Sequence, residues 1–406
     1  MPARVLHVLS QRPSLTGSGI TLDALVRVAG RVGYDQMAAV GTSASDPSPA
    51  FGGLARDRVR PLLFETDALP FRLPGMSDVM PYPSSRFSEL GAADVDAYLG
   101  AWRAHLAAVI ADFRPQLIHA HHVWLVSSLL RELAPGVPIV VHCHATGIRQ
   151  MALAPHLAAR VRTGCARADR FAVLHADHAR ALALSLGVPE TRVRIAGAGY
   201  RDDLFHAAGR AARTGRIAYV GKLSAAKGLP WLHDAFERLG GGATLDVVGD
   251  GSGLEADELR ARMRALGPPV TPHGTMSQPA LADLLRRCDV CALPSFFEGL
   301  PLVLVEAFAC GCRIVATDLE GVTEVLAPRL GAALTTVPTP RLEGPDVPHS
   351  EDLPKLVDDL EAGLRASLAA GPVDTAAPAF AAALAPFTWD AVFERVEAIW
   401  KELLAP

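Results

Sequence analysis

Two carboxylates stand close together in the stretch Phe297-Glu298-Gly299-Leu300-Pro301-Leu302-Val303-Leu304-Val305-Glu306-Ala307. A proline is tolerated in a first helical turn, where its missing N–H has no partner to lose, so Gly299 and Pro301 mark a turn and predict a helix from about Leu302. Glu298 then falls in the loop and Glu306 about one turn into the helix. Both border the helix N-terminus, where free N–H groups and the macrodipole favour an anion. Carboxylates that accept hydrogen bonds from hydroxyls, set beside a phosphate site, suit a sugar nucleotide. Ordinary surface charges are the alternative, but Glu306 is flanked by Leu302 to Val305 and Ala307 to Cys310, an apolar segment that predicts burial. A buried carboxylate needs partners.

Cations occur where such an anion needs them. In Arg216-Ile217-Ala218-Tyr219-Val220-Gly221-Lys222-Leu223-Ser224-Ala225-Ala226-Lys227-Gly228 a strand runs into a loop and then a helix, which places Lys222 and Lys227 at a strand end, where two point charges can hold a diphosphate. Near the N-terminus, Gly17-Ser18-Gly19 precedes a helical pattern carried by Leu22, Leu25, Val26 and Ala29. Glycines there allow close backbone approach to a phosphate or sugar, although Leu22 occupies the position of the third glycine in a dinucleotide fingerprint.

Histidines gather at later strand ends: His119, His121, His122, His142 and His144. Strand alternation sends adjacent residues to opposite faces and no carboxylate accompanies them, so a polar wall is expected rather than a metal centre. His144, just past its strand, is best placed to reach a ligand. Cys288, Cys291, Cys310 and Cys312 superficially resemble a thiolate zinc site but lack knuckle-like turns, and they are expected as small buried hydrophobes. No cofactor and no bound metal are expected.

These residues must be positioned by alternating strands and helices. Candidate strands are 4–9, 36–41, 58–63, 117–120, 139–143, 171–174 and 192–196, followed by a second series at 216–220, 244–248, 270–273, 290–293 and 313–316. The pattern is that of βαβ units and parallel sheets. The expected organisation is an α/β N-terminal domain over 1–200, a linker over 201–215, a second doubly wound domain over 216–385, and a closing helix within 386–406. Ligand sites of two such domains lie at C-terminal strand ends and are expected to face each other across a cleft. Residues 335–348, rich in Pro and Gly, read as a surface loop. The last helical pattern, from Trp389 to Leu404, carries Val392, Phe393, Val396, Ile399, Trp400 and Leu403 on one face and is expected to be packed.

Length and composition fit this division. The chain has 406 residues, of which 50% are hydrophobic and 20% charged, enough for two sizeable cores. A net charge of −4 gives no general basic surface, which argues against nucleic acid as a partner. The apolar run at residues 5–9 is too short for a signal-peptide core and no stretch approaches the length of a membrane span, so a cytoplasmic location is expected.

In family order over about residues 216–325, the pieces Val220-Gly221-Lys222-Leu223, Lys227-Gly228, Val248-Gly249-Asp250-Gly251, His273-Gly274, Leu293-Pro294-Ser295, Glu298-Gly299-Leu300-Pro301, Glu306-Ala307, Gly311 and Ile314-Val315-Ala316-Thr317 resemble the retaining nucleotide-sugar glycosyltransferases of the GT-B fold, family four. The first half is similar more loosely, through its glycine-rich loop, Ile118-His119-Ala120-His121 and Pro138-Ile139-Val140-Val141-His142-Cys143-His144. The resemblance implies two tandem Rossmann-like domains and transfer of a sugar, most simply from a UDP-sugar with GDP- and ADP-sugars as alternatives, without a metal. It implies that Glu306 accepts from the ribose hydroxyls, Glu298 from the transferred sugar, and backbone groups of Gly299, Leu300, Pro301 and Leu302 hold the donor. Lys222 and Lys227 would neutralise the leaving diphosphate, Gly17, Ser18 and Gly19 cover it, Gly274, Thr275 and Met276 line the donor site, and His144 lie near the sugar.

The chain departs from the family pattern in three places. Lys222 stands where Arg is commoner, Ala196-Gly197-Ala198-Gly199 replaces a Pro-Asn-Gly turn, and Cys312 replaces a Pro. An epimerase or phosphorylase on the same fold, and a sugar-nucleotide-binding protein without turnover, are the alternative functions. The acceptor is unidentified. Residues 64–90, with Phe71, Met76, Met80, Tyr82 and Phe87, are either an acceptor flap or a packed loop. Arg160, Arg162, Arg167 and Arg170 form a basic helical region, but Leu157 and Val161 give it too small an apolar face for strong membrane insertion, and a soluble acceptor is expected.

Overall fold

Short apolar runs bounded by turn residues make two parallel sheets in the computed structural model, which describes residues 2–14, 16–77, 80–344 and 347–405. The chain divides into two units, Met1–Ala198 with Trp389–Pro406, and Gly199–Thr388.

Among the described residues the main sheet of the first unit has seven strands: β1 (Arg4–Leu9), β2 (Asp35–Ser43), β3 (Val59–Phe64), β4 (Leu117–His121), β5 (Ile139–His142), β6 (Arg170–Val173) and β7 (Val193–Ile195). Their order, β3-β2-β1-β4-β5-β6-β7, is that of a doubly wound sheet, which reverses direction between β1 and β4. Helix α1 (Gly17–Arg31) covers one face and α2 (Ala92–Phe113) the other. Tyr98, Trp102 and Leu106 of α2 are fully buried with Phe64, Phe87 and Trp124. Residues 64–90 belong to this core, since Leu69, Leu73, Met76, Tyr82 and Phe87 are buried in it, and a short parallel pair joins Pro74–Gly75 to Ser85–Arg86. Asp78 and Val79 within that stretch lie outside the described residues.

The expected last helix spans Trp389–Leu404 and belongs to the first unit. Its apolar residues recur at helical spacing, so Val392, Phe393, Val396, Ile399 and Trp400 form one stripe that packs with Leu25 and Ala29 of α1 and with Val5 and Leu117 of the sheet. Arg395 Nε donates to the Ala196 carbonyl at 2.8 Å, and Tyr34 Oη donates to Glu397 at 3.0 Å.

The second unit has six strands: β8 (Arg216–Val220), β9 (Thr244–Val248), β10 (Val270–Gly274), β11 (Val290–Leu293), β12 (Arg313–Thr317) and β13 (Leu334–Val337), in the order β10-β9-β8-β11-β12-β13. Strand β13 corrects the expectation of a loop from residue 335. It is an edge strand paired with β12 from Ile314↔Leu334 to Thr317↔Val337, and its Thr-rich, half-exposed sequence carries no apolar alternation. Pro345 and Asp346 of the expected loop lie outside the described residues.

The segment expected as a linker, 201–215, is packed onto the second unit. Asp289 is 1% exposed and gathers it: Oδ2 accepts from the N–H groups of Thr214 and Gly215 at 2.8 and 2.7 Å, and Oδ1 lies 3.2 Å from the Arg210 guanidinium. Arg210 also donates to the Cys310 carbonyl at 3.0 Å, and Phe205 is buried.

Candidate active site

In the second unit the strand order reverses between β8 and β11, and the crevice outside the C-terminal ends of strands at such a reversal is the usual ligand position in an open α/β sheet. Contacts too close for any side chain build its walls. Gly228 has φ +71°, and a Cβ there would sit 2.0 Å from the Pro294 carbonyl oxygen. Gly249, at φ +130°, would place a Cβ 1.9 Å from the Gly221 carbonyl oxygen. Both therefore have to be glycine. Gly221 N–H donates to Val248 O at 2.9 Å and Gly249 N–H to Gly274 O at 2.8 Å, which laces the exits of β8, β9 and β10 together.

Lys227 and Glu298 meet at this crevice. Lys227 lies in a short 3₁₀ turn after β8, Glu298 in the loop after β11, and Nζ is 2.6 Å from Oε1. Both side chains are mostly covered, at 22% and 18% exposed. The loop positions are held by backbone bonds, from Phe296 N–H to Ala226 O at 2.9 Å and from Thr317 Oγ1 to Ser295 O at 2.5 Å. The sequence reading placed the two groups at one site but did not foresee that they pair. Lys222 is half-buried beside them in sequence, and its carbonyl accepts from the buried Tyr219 hydroxyl at 2.6 Å.

The helix expected from Leu302 is α3 (Leu302–Ala309), with Pro301 as its N-cap. Proline's side chain offers no acceptor, so no side chain caps this helix. The turn is pressed from outside by Gly321, where a Cβ would lie 2.2 Å from the Gly299 carbonyl oxygen. That contact has no signature in the sequence. Glu306 points from the second turn. It is partly buried, and withdrawal from water raises its carboxyl to about 7, so it is poised between its two protonation states near neutrality. Among the described residues no group donates to its carboxylate, and burial is the sole cause of its raised carboxyl. Gly274, Thr275 and Met276 stand at the exit of β10, Thr275 exposed and Met276 partly so, ahead of the Ser277 cap on the helix Gln278–Leu285.

In the first unit, Gly17, Ser18 and Gly19 form the first turn of α1 rather than a glycine-rich loop before it. Thr16 Oγ1 already accepts from Gly19 N–H at 3.2 Å, Ser18 Oγ donates to Gln11 at 3.2 Å, and Gly19 packs so closely on Ser14 that a Cβ would lie 2.6 Å from its nitrogen. Ser18 and Gly19 are buried, whereas Gly17 is exposed. His144 follows β5, its Nε2 3.0 Å from His121 Nδ1 and its ring stacked on His142 at 4.5 Å. Burial, then the neighbouring His142, holds it well below the ordinary imidazole range, so it is neutral at pH 7.

The other histidines do not form the expected cleft wall. His119, His121 and His142 are at most 2% exposed, on the sheet face beneath the Trp389–Leu404 helix. The reading considered adjacent residues on one strand, whereas the cluster is made by alternate residues across neighbouring strands. The six cysteines are free and buried; Cys312 Sγ lies 3.3 Å from the Cys288 carbonyl, as a packed thiol does. Of the basic set, Arg167 is near Glu132 at 4.0 Å and Arg170 pairs with Glu402 at 2.5 Å, while Arg160 and Arg162 are exposed and, among the described residues, form no ion pair.

Known proteins resemble this chain in sequence and fold. Residues 81–203 match the family described as Glycosyltransferase Family 4, and residues 214–340 match Glycosyl transferases group 1. The D-inositol 3-phosphate glycosyltransferase of Mycobacterium avium is 30% identical over 339 residues, 75% of this chain and 74% of that protein. The chain belongs to glycosyltransferase family 4. The D-inositol 3-phosphate glycosyltransferase of Mycobacteroides abscessus is 29% identical over 284 residues, and the chain spans 63% of its length, which is also 63% of this chain. Among solved structures, Anabaena Alr3699/HepE in complex with UDP-glucose is similar at a TM-score of 0.65 and 17% identity, covering 98% of this chain and 99% of that one. At that identity the likeness concerns the fold, which is GT-B with two Rossmann-like halves. The group 1 match contains Lys222, Lys227, Glu298 and Glu306, and the family 4 match contains His144 but not Gly17 to Gly19.

Proposed function

We propose that this family 4 member is a retaining glycosyltransferase that moves a sugar from a nucleotide diphosphate sugar, a UDP-sugar first, to a hydroxyl of a small molecule or glycan precursor. The observation that carries this reading is the Lys227–Glu298 pair at the β8–β11 crevice, one loop away from an uncapped helix N-terminus that bears Glu306. The UDP-glucose bound by the Anabaena neighbour favours uridine, and the inositol phosphate glycosyltransferases favour a small polar acceptor.

In this reading the diphosphate binds at the N-terminus of α3, whose free N–H groups and dipole offset its charge. Lys222 and Lys227 complete the neutralisation. As the bond to the sugar breaks, negative charge grows on the diphosphate and the sugar becomes oxocarbenium-like, so cations fixed at the leaving group lower the barrier, by an amount on the order of 10²–10³ in rate for each donor. Gly299 to Leu302 and Gly274 to Met276 enclose the donor, Glu306 accepts from its ribose, and Glu298 both accepts from the transferred sugar and holds Lys227 in place. A neutral His144 contributes a hydrogen bond near the sugar, and Gly17 to Gly19 add backbone close to the phosphates. The acceptor then attacks from the face the phosphate vacates, which retains configuration.

No helix among the described residues is long and apolar enough to cross a membrane, and a cytoplasmic site of action with a soluble acceptor fits that. Incubation with UDP-, GDP- and ADP-sugars, followed by detection of slow hydrolysis, tests the proposal. One nucleotide class should be cleaved to nucleoside diphosphate and free sugar. Neither hydrolysis nor binding of any of the three would overturn it, and conversion of the donor to an isomeric nucleotide sugar would make the chain an epimerase.

A further inference from the structure

Strand register alone assembles a column of imidazoles inside the first unit. His7 of β1 is paired with His119 of β4, His121 stands two residues further along β4 on the same face, and His142 of β5 is paired with His121. None is more than 2% exposed. Ring centroids are 6.0 Å apart for His7 and His119 and 5.0 Å for His119 and His121. One nitrogen from each of His7, His119 and His121 lies within 4.8 Å of the other two. Tetrahedral coordination at about 2.0–2.1 Å sets donor atoms about 3.3 Å apart, so modest ring rotations close the difference.

The tautomer of His7 follows from its neighbours. Gln36 Nε2 donates to the Val26 carbonyl at 3.0 Å, which fixes the amide and turns Oε1 toward His7 Nε2, also at 3.0 Å. An amide oxygen only accepts, so His7 Nε2 carries the proton and Nδ1 keeps a bare lone pair. That Nδ1 is buried without a partner, as are both nitrogens of His119 and Nε2 of His121. Trp400 faces His7 and His119 at 5.8 and 5.6 Å, and His142 stacks on His119 at 5.6 Å. Buried polar groups left unmatched destabilise a fold, a cost that Leu or Val at these positions would not carry.

We propose that His7 through Nδ1, His119, and His121 through Nε2 hold one divalent transition-metal ion of the zinc class. Neutral imidazole is the ligand form such ions take, and Gln36 is the outer partner that orients one of them. With three neutral ligands the ion would retain its full charge and keep one coordination position open. The site belongs to the first unit, not to the β8–β11 crevice of the second, and is structural, tying the centre of the sheet beneath the closing helix. It also bears on the residue after β5: His121 bound through Nε2 carries its proton on Nδ1 and donates it to His144 Nε2, which fixes the His144 tautomer. That consequence rests on the role proposed for His144, whereas the metal site does not.

The test uses tag-free full-length protein, stripped by a chelator and titrated with Zn²⁺ or Co²⁺ in the absence of any donor. Expected are one ion per chain, the visible absorption bands of tetrahedral Co²⁺, and a Zn²⁺-dependent rise in melting temperature, all lost in His7→Asn and His119→Asn. Gln36→Leu keeps every ligand and covers the case in which those variants do not fold; its Zn²⁺ affinity should drop about 10–100-fold. Absence of stoichiometric binding, binding that survives His7→Asn and His119→Asn, or an unchanged affinity in Gln36→Leu would overturn the proposal. Metal binding is read without turnover, so its failure leaves the glycosyltransferase reading intact, and the reverse holds as well.

Discussion

Lys227 Nζ and Glu298 Oε1 are 2.6 Å apart although 71 residues separate them in sequence. A cation expected at the leaving diphosphate and a carboxylate expected at the sugar therefore hold each other before any ligand arrives. Groups that act as a unit lose function together. Lys227→Met should lower donor turnover by about 10²–10³, and the double variant with Glu298→Gln should lose much less than the product of the single effects. Initial rates of donor hydrolysis for the four proteins give the comparison; fully multiplicative losses would show that the pair is not a functional unit.

In the proposed role, Glu306 should make donor binding depend on pH. Its carboxyl is raised by burial to about 7, from an ordinary value of 4.5. The folded protein therefore keeps this proton over a range in which the unfolded chain has released it, and stability contributed by Glu306 falls as pH rises from about 4.5 to about 7. Glu306→Gln should flatten that decline. A ribose hydroxyl bonds better to the ionised form, so UDP-sugar affinity should increase through pH 7 in the parent and stay level in the variant. Calorimetric titration at pH 6 and pH 8 (roughly one unit either side of that value) decides it, and parallel pH profiles for the two proteins would remove Glu306 from the donor site.

Gly228 allows a test of the crevice wall without touching a charge. Alanine there meets both a positive φ and the Pro294 carbonyl oxygen 2.0 Å from its Cβ, so the loops after β8 and β11 must separate. Gly228→Ala should cost about 1–3 kcal/mol in stability and disturb donor binding through Lys227 next to it. Gly53→Ala, at φ +75° in open space, is the control for backbone strain alone. Equal melting temperatures for these two variants would mean that the close approach carries no weight.

How far the sequence leads is visible in particular residues. β1, β8, β9 and β11 begin and end where their apolar runs do, and α3 begins at Leu302 as the Gly-x-Pro turn predicts. Such features depend on neighbours in the chain. β13 was missed because an edge strand needs little apolar pattern. Lys227–Glu298, Gly321 against Gly299, and the histidine column depend on strand order and register, which no local spacing records. For Glu306, burial was legible from the apolar residues on either side of it, but the raised carboxyl that burial produces was not.

Asp289 explains why the stretch 201–215 belongs with the second unit, and it gives the last prediction. Its carboxylate is 1% exposed and accepts from Thr214 and Gly215 N–H groups while facing Arg210, so one buried charge fixes three points of that stretch. In Asp289→Asn the charge is lost, and Arg210, itself 10% exposed, is left without its counterion. Removing one partner of a buried pair typically costs about 3–5 kcal/mol, more than the loss of a neutral hydrogen bond. Replacing Arg210 by Met as well removes the stranded cation, so the double variant should recover part of the loss. Denaturant midpoints measure the stability, and limited proteolysis reports the local effect, with new cleavage between residues 201 and 215 in Asp289→Asn ahead of cleavage elsewhere. Resistance of that stretch equal to the parent's would show that other contacts, such as buried Phe205, hold it without Asp289.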